Sequence, residues 1–473
     1  MKRLYSFLAI IAIAGILFTA CTPESNSSEM ASTVESTVST TESTVAAEET
    51  SSSLLSSGMV AATSSTPSAT QSNNATTISQ SHSSSITSAP NLTAKTAKEV
   101  QTKVENERKA LGISAETMAK SLVSSGNQAR IAAVMRKAMK GEPITIGVIG
   151  GSVTYGSCAS DLSKTAYAPL VAQWWQDTFP QSKVSFVNAG LGATDSVIGV
   201  HRVQTDLLNK KPDFIIIEFS VNDYANDLCA ETYENLVRRC LKAEGQPGVL
   251  LLHMVDQAGN SAQSIHQPTG EYYQLPIISY RDAMQPLLDS GKIKWSDLSP
   301  DSVHPNDHGH AIAALFVKNY LSSLYANLDN VKTDIPAIPK PRISDAYENA
   351  RLLTSANFEA TKLGSFKIDN NAFPQFKNGW TVTSGTEAIE FKLKDVKNVL
   401  VLYYRNTSLK AGKVKTTVNF KDSGTIDAYY SGLDYATYHQ ASSTVKSGTQ
   451  LLTITPVPEG DKSEFKILGI MVS

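Results

Sequence analysis

The chain has 473 residues, 41% of them hydrophobic and 18% charged, a length that predicts two or three domains. Lys and Arg total 42 against 44 Asp and Glu, a net charge of −2. This excludes wholesale nucleic-acid binding, which needs a clustered positive excess. Four cysteines are too few for a disulfide-dense scaffold, and their spacing fits no zinc ribbon.

The N-terminus has the pattern of an export signal over 1–20: Lys2 and Arg3, then an apolar stretch from Leu4 to Leu17 that is short for a membrane span. It ends in Leu17-Phe18-Thr19-Ala20-Cys21. Small residues before a cysteine resemble the lipobox of bacterial lipoproteins, which implies lipidation at Cys21 and an extracytoplasmic, surface-anchored protein. The membrane is expected as a partner only through that anchor, since no later run reaches the roughly 18 apolar residues of a spanning helix. From 22 to 94 about half the residues are Ser or Thr, with no Lys, Arg, Phe, Trp or Tyr. Such a segment buries too little apolar area to offset the entropy of ordering it, and is expected to be a disordered stalk.

The folded part is expected to begin at Lys95, with a first domain over 95–330. Segments 98–111, 114–120 and 127–139 have helical composition or spacing, and Gly141-Glu142-Pro143 ends the third. Val- and Ile-rich runs at 144–149, 184–188, 214–219 and 249–253 predict buried strands. The stretches 166–179, 197–208 and 231–243 between them predict helices, and an apolar helix at 309–325 closes the series. This rhythm argues an α/β fold with a parallel sheet and helices on both faces.

Beyond a Pro-rich linker at 331–341, the stretch 342–473 alternates in period two at 388–393, 399–404, 413–420, 451–457 and 465–472. That pattern predicts a small antiparallel β-sandwich. No internal repeat is visible.

In open α/β sheets, sites form at the carboxyl ends of strands. The four segments at or near those ends are Gly150-Gly151-Ser152, Asn188-Ala189-Gly190-Leu191-Gly192, Ser220-Val221-Asn222-Asp223 and Asp301-Ser302-Val303-His304-Pro305-Asn306. All four, in this order across about 127–325, resemble the SGNH (GDSL-like) hydrolase superfamily. The glycine pair before Ser152 and the stretch His304–His310 look like a bacterial branch that includes carbohydrate O-acetylesterases. The resemblance implies an SGNH-type, flavodoxin-like parallel sheet and, for the attached sandwich, a jelly-roll-like module.

The residue types also suit the chemistry. A serine hydroxyl is a weak nucleophile and needs a neighbouring base; His304 can supply one. Asp301 lies three residues earlier, and in a turn-like segment residues i and i+3 share a face, so its carboxylate can orient the imidazole toward Ser152. Attack on an ester develops an oxyanion that needs fixed donors. The resemblance assigns these to the N–H of Ser152, a backbone N–H at Gly192 and the side chain of Asn222. A one-residue shift would put the second donor at Ala193 instead. No cofactor and no metal are expected: His308 and His310 read as residues that cap and pack the last helix, and zinc would compete for the imidazole needed as base.

Of the remaining polar residues, Asp223 reads as a structural partner for the loops, Arg202 as an internal salt-bridge partner and Tyr155 as a wall of the site. Cys158 and Cys229 lie on loops at one sheet edge, where an extracytoplasmic protein could bridge them; two unbridged thiols is the alternative. Cys240 reads as a packing residue.

The acyl group is less legible. No long apolar lid appears, and the polar stretch 257–273, read as the longest loop, favours a hydroxyl-rich ligand. Tyr429, Tyr430, Tyr435 and Tyr438 could stack on sugars or fill the sandwich and its interface. Relatives of this arrangement imply a serine esterase that removes acetyl groups from plant polysaccharide or its oligosaccharides, with acetylated carbohydrate as partner. An esterase on another acyl ester and an idle glycan-binding lipoprotein stay open, as does the oligomeric state.

Overall fold

The apolar runs that predict strands divide by parity, and this division builds two cores. Residues 93–442 and 448–473 are described by the computed structural model. The expected export segment 1–20, the lipidation residue Cys21 and all but the end of the stalk lie outside the described residues.

Helix α1 (Ala97–Ala110) carries a reciprocal cap between Thr96 and Glu99, which satisfies backbone donors that a helix start leaves open. After it come α2 (Ala115–Lys120), β1 (Leu122–Ser124), α3 (Ala129–Met139) and β2 (Ile144–Gly150). The series continues with α4 (Ser152–Tyr155), α5 (Tyr167–Thr178), β3 (Val184–Gly190), α6 (Ser196–Asp206) and β4 (Phe214–Glu218). It ends with α7 (Asp227–Lys242), β5 (Gly248–His253), α8 (Gln263–Tyr272), β6 (Ile277–Ser279), α9 (Tyr280–Asp289) and α10 (Asp307–Ala326).

The sheet runs β1-β6-β5-β4-β2-β3. Strands β2 to β6 are parallel, and β1 adds an antiparallel edge. The parallel part has the flavodoxin-like order, which reverses direction at β2, the topological switch point where such sheets bind ligands. Gly150 pairs with Gly190 on one side and Glu218 on the other, so β2, β3 and β4 end level. Ile144, Ile146, Val148, Phe214 and Ile216 face a core shared with α1, α3, α5 and α10. Ile149, Ile215, Ile217, Val249 and Leu251 face the opposite core, with α6 and α7. Burial on both faces explains why these strands read as continuous apolar runs.

The sandwich contains β7 (Arg351–Leu353), β8 (Lys367–Asp369), β9 (Gly379–Val382), β10 (Ile389–Lys394) and β11 (Val399–Arg405). It is completed by β12 (Lys413–Val418), β13 (Lys421–Asp427), β14 (Tyr435–Ser442), β15 (Thr449–Val457) and β16 (Phe465–Val472). One sheet is β10-β15-β12-β13; the other is β14-β11-β16-β9-β8, with β7 also on β16. In β11, Val399, Val401 and Tyr403 fill the sandwich, whereas Leu400 and Leu402 turn outward into the core that holds α6 and α7. A bulge keeps β16 in the same scheme. Leu402 pairs with Gly469 but Tyr403 with Ile467, so one residue is extra; Ile467 and Ile470 then both face inward although their parity differs.

The Pro-rich linker is strapped onto α7. Arg238 donates to the Pro339 carbonyl at 2.7 Å, and the Arg342 and Ile343 N–H groups donate to the Glu234 carboxylate. The stretch 257–273 is not the loop that its polarity suggests, because most of it is α8. Two of its polar side chains are partnered inside the protein: Gln263 accepts from Ser279 Oγ at 2.8 Å and donates to Asp282 at 2.7 Å, and the fully buried His266 meets Asp223 at 2.8 Å.

Candidate active site

Ser152 begins α4 directly after β2, so the strand end fixes its position. The turn is tight. A Cβ on Gly190 would stand 2.3 Å from the Tyr155 backbone nitrogen, and one on Gly151 only 2.0 Å from Asn222 Oδ1. Glycine at these two places lets β3 and the β4 loop close around α4. Beneath the turn, the buried Arg202 donates to the carbonyls of Ala189 at 2.7 Å and Gly150 at 3.0 Å, and reaches Asp206 at 3.1 Å. The expected salt bridge is present, but the guanidinium also ties together the two strand ends that carry the site.

His304 arrives from the segment before α10. Its Nε2 lies 2.8 Å from Ser152 Oγ and its Nδ1 lies 2.6 Å from Asp301 Oδ2. With the ring proton on Nδ1, that nitrogen donates to Asp301 and Nε2 accepts from the serine. Ser152 and His304 are 5% and 3% exposed. Asp301 Oδ1 accepts from the Val303 and His304 N–H groups, each at 2.7 Å. Burial pushes the Asp301 carboxyl up, but these donors and the imidazole outweigh it and hold it below the usual carboxylate range. Two supports gave no sequence signal. Trp295 Nε1 donates to the Asp301 carbonyl, and Ser299 Oγ lies 2.7 Å from the carbonyls of both Asp301 and His304.

The β3 and β4 loops complete the surroundings of Ser152. A Cβ on Gly192 would sit 3.9 Å from Ser152 Cβ and 3.4 Å from the Gln375 amide nitrogen, so this glycine lies beside Ser152 and the sandwich reaches the same spot. Ala193, the alternative donor, has a left-handed backbone at φ 55°. Asn222 Oδ1 is buried against Gly151 without a hydrogen-bond partner among the described residues. Tyr155, 46% exposed, and Tyr224, 74% exposed, stand in the α4 turn and just past Asn222.

Asp223 is the loop partner expected of it: it accepts from Ser196 N at 2.7 Å and meets His266 Nε2 at 2.8 Å. Burial holds this carboxyl well above its usual range and depresses His266 to about 3. Glu218, fully buried at the end of β4, accepts from both the N–H and the hydroxyl of Ser220. Burial raises it to about 7. Tyr438, from the sandwich, donates to Asp195 at 2.8 Å and so belongs to the interface.

Two expectations are corrected or refined. Cys158 and Cys229 are not bridged to each other. Cys229 is buried in the first turn of α7 against the α6 core, whereas Cys158 turns toward the triad, 3.7 Å from Asp301 Oδ2. His310 packs as expected: it is fully buried, accepts from Tyr167 N and donates to the Ser157 carbonyl. The cap of α10 is Asn306, however, which accepts from Gly309 N at 3.0 Å.

The model of the GDSL-like lipase/acylhydrolase family matches residues 148–312, which hold all four motif blocks. No curated protein matches the chain. Among solved structures, a two-domain esterase active on acetylated mannans is 30% identical with a TM-score of 0.71, covering 75% of this chain and 98% of its own. The same kind of esterase co-crystallised with mannopentaose gives 31% identity and a TM-score of 0.69 over the same shares. An acetylxylan esterase from Geobacillus stearothermophilus is 20% identical, with a TM-score of 0.33 over 37% of this chain and 94% of its own. The 30% relative is matched over nearly its whole length, and the strand-end geometry is that of a serine hydrolase. The chain belongs to the GDSL-like lipase/acylhydrolase family, as a two-domain serine esterase.

Proposed function

We propose that the protein hydrolyses O-acetyl esters on carbohydrate, with acetylated mannan as the leading substrate, through an acetyl-enzyme on Ser152. The observation that carries this reading is the unbroken chain Ser152 Oγ–His304 Nε2 at 2.8 Å and His304 Nδ1–Asp301 Oδ2 at 2.6 Å. The ester type and the mannan backbone are drawn from the 30% identical two-domain esterase.

His304 takes the hydroxyl proton as Ser152 Oγ attacks the acetyl carbonyl carbon. Asp301 holds the ring in the tautomer that can accept and stabilises the imidazolium that forms. The developing oxyanion is met by the N–H of Ser152, the N–H of Gly192 and the amide NH2 of Asn222; one such donor is worth about 2.7–4 kcal/mol of barrier. His304 then gives its proton to the departing sugar oxygen as the C–O bond breaks. Water repeats the cycle: it attacks the acetyl group, loses a proton to His304 and releases acetate and free Ser152.

The N-terminal pattern supports export and tethering by a lipid at Cys21. Mass spectrometry of the mature N-terminus tests this; an unmodified peptide beginning elsewhere overturns it. For catalysis, Ser152→Ala is expected to abolish acetate release from acetylated mannan while the variant still binds the polymer and keeps its melting temperature. Hydrolysis at the original rate in that variant would refute the assignment.

A further inference from the structure

The turn after α4 brings a thiol to the catalytic dyad. Gly156 and Cys158 both have left-handed backbones, at φ 102° and 66°, and this reverses the chain toward the Asp301 segment. The turn is pinned. Ser157 N donates to the Ser152 carbonyl at 3.0 Å, His310 Nε2 donates to the Ser157 carbonyl, and Ser160 N donates to Asp307 at 2.7 Å. Cys158 Sγ therefore stands 3.7 Å from Asp301 Oδ2, while His304 Nδ1 stands 2.6 Å from the same oxygen. Cys158, Asp301 and His304 each offer one ligand atom, and these atoms all lie within 4.8 Å of one another.

Thiolate, imidazole and carboxylate form a donor set suited to zinc. Its bonds of about 2.0–2.3 Å place tetrahedral donors about 3.5 Å apart. The sulfur–oxygen separation already meets that spacing, and the imidazole–carboxylate contact would have to widen by less than an ångström. Cys158 and Asp301 are partly exposed, so an ion can enter.

We propose that Cys158, Asp301 and His304 form an inhibitory site for a thiophilic divalent cation of the zinc type. On binding, the Cys158 S–H bond breaks, its proton goes to solvent and the thiolate pair bonds to the ion. Ligation through Nδ1 requires that nitrogen's proton to leave. The neutral ring then carries its proton on Nε2, facing Ser152. One proton is released per ion bound, and His304 can no longer accept from the nucleophile. The inhibition rests on the esterase reading given above, whereas the binding does not.

Zinc chloride titrated into the chelator-treated full chain tests both parts, with calorimetry and proton release read beside acetate release. Wild-type protein is expected to bind one high-affinity zinc, release one proton and lose activity in parallel, with recovery on adding EDTA. Cys158→Ser and Cys158→Ala, each compared with its own metal-free activity, are expected to raise both midpoints by on the order of tenfold or more. Cadmium should give a thiolate charge-transfer band in wild type that is absent in Cys158→Ser. Melting curves verify that both variants are folded. Equal zinc sensitivity in folded Cys158→Ala, or no zinc binding by wild type, overturns the site. Cys158-dependent binding in a chain with no metal-free esterase activity supports the cation site and overturns the esterase reading instead.

Discussion

The two halves of the molecule bury different things. The α/β half buries ionisable side chains, among them Arg130, Arg202, Glu218, Asp223, Glu234, Arg238, His266 and Lys318, whereas the buried polar side chains described in the sandwich are neutral: Asn398, Asn406, Thr416, Gln450 and Ser473. Burying ionisable groups costs stability unless they are partnered or neutralised. Part of that cost falls where backbone ends are held for chemistry, at Arg202, Glu218 and Asp223, and the sandwich contributes an apolar brace through Leu400, Leu402, Leu468 and Met471. Substitutions in the first half should therefore reach activity, and those in the second should reach it weakly.

The largest effect in this comparison is expected from Asn222→Ala. Loss of one oxyanion donor should lower kcat about 10²–10³-fold with little change in KM; steady-state kinetics on an aryl acetate measure it. An unchanged kcat would remove Asn222 from the oxyanion site.

Glu218→Gln should act on stability through pH. A buried acid raised from 4.5 to about 7 keeps its proton in the folded state where the unfolded chain has lost it. Wild-type stability from this group therefore falls as pH climbs through that window, and the neutral amide removes the fall. Buried histidines act in the opposite sense. His201, His266 and His310, depressed to about 4, 3 and 4, cost stability as pH drops below 6.5. Urea denaturation at pH 5 and pH 8 should show Glu218→Gln gaining on wild type as pH rises. A constant difference would mean that Glu218 is ionised throughout.

Gln375→Ala should give the smallest change. It removes a sandwich side chain beside Gly192, and the loss of one hydrogen-bonding group of this kind is worth about 1 kcal/mol, or roughly fivefold in kcat/KM. A loss as large as that of Asn222→Ala would mean that the brace also takes part in the chemistry.

The site was more legible in the sequence than its supports. Strands β2, β4 and β5 stand out as apolar runs because both faces are covered, whereas β3 is largely exposed; Ser152, Asp301 and His304 follow from strand ends and short-range spacing, and the role of Asn222 from the family resemblance. Strands β1, β6, β7 and β8 have three residues each, too few for periodicity to register. Helix α8 was read as a loop because it is polar, yet Gln263 and His266 have partners from β4's loop, β6 and α9, which no local pattern can reveal. Gln375 sits far along the chain from Ser152, in another domain, and joins the site through packing alone. The Cys158–Cys229 pairing failed for a related reason: proximity along one sheet edge says nothing about where each side chain points.

The central claim is that Ser152 carries the acetyl group between the two half-reactions. Acid-quenching the enzyme during turnover of an acetylated substrate and mapping peptides by mass spectrometry tests it most directly. One acetyl group on Ser152, absent without substrate and accumulating when deacetylation is slowed, is the predicted result. Acetate release with no acetyl on Ser152 at any time, or acetylation of a different nucleophile, would contradict it.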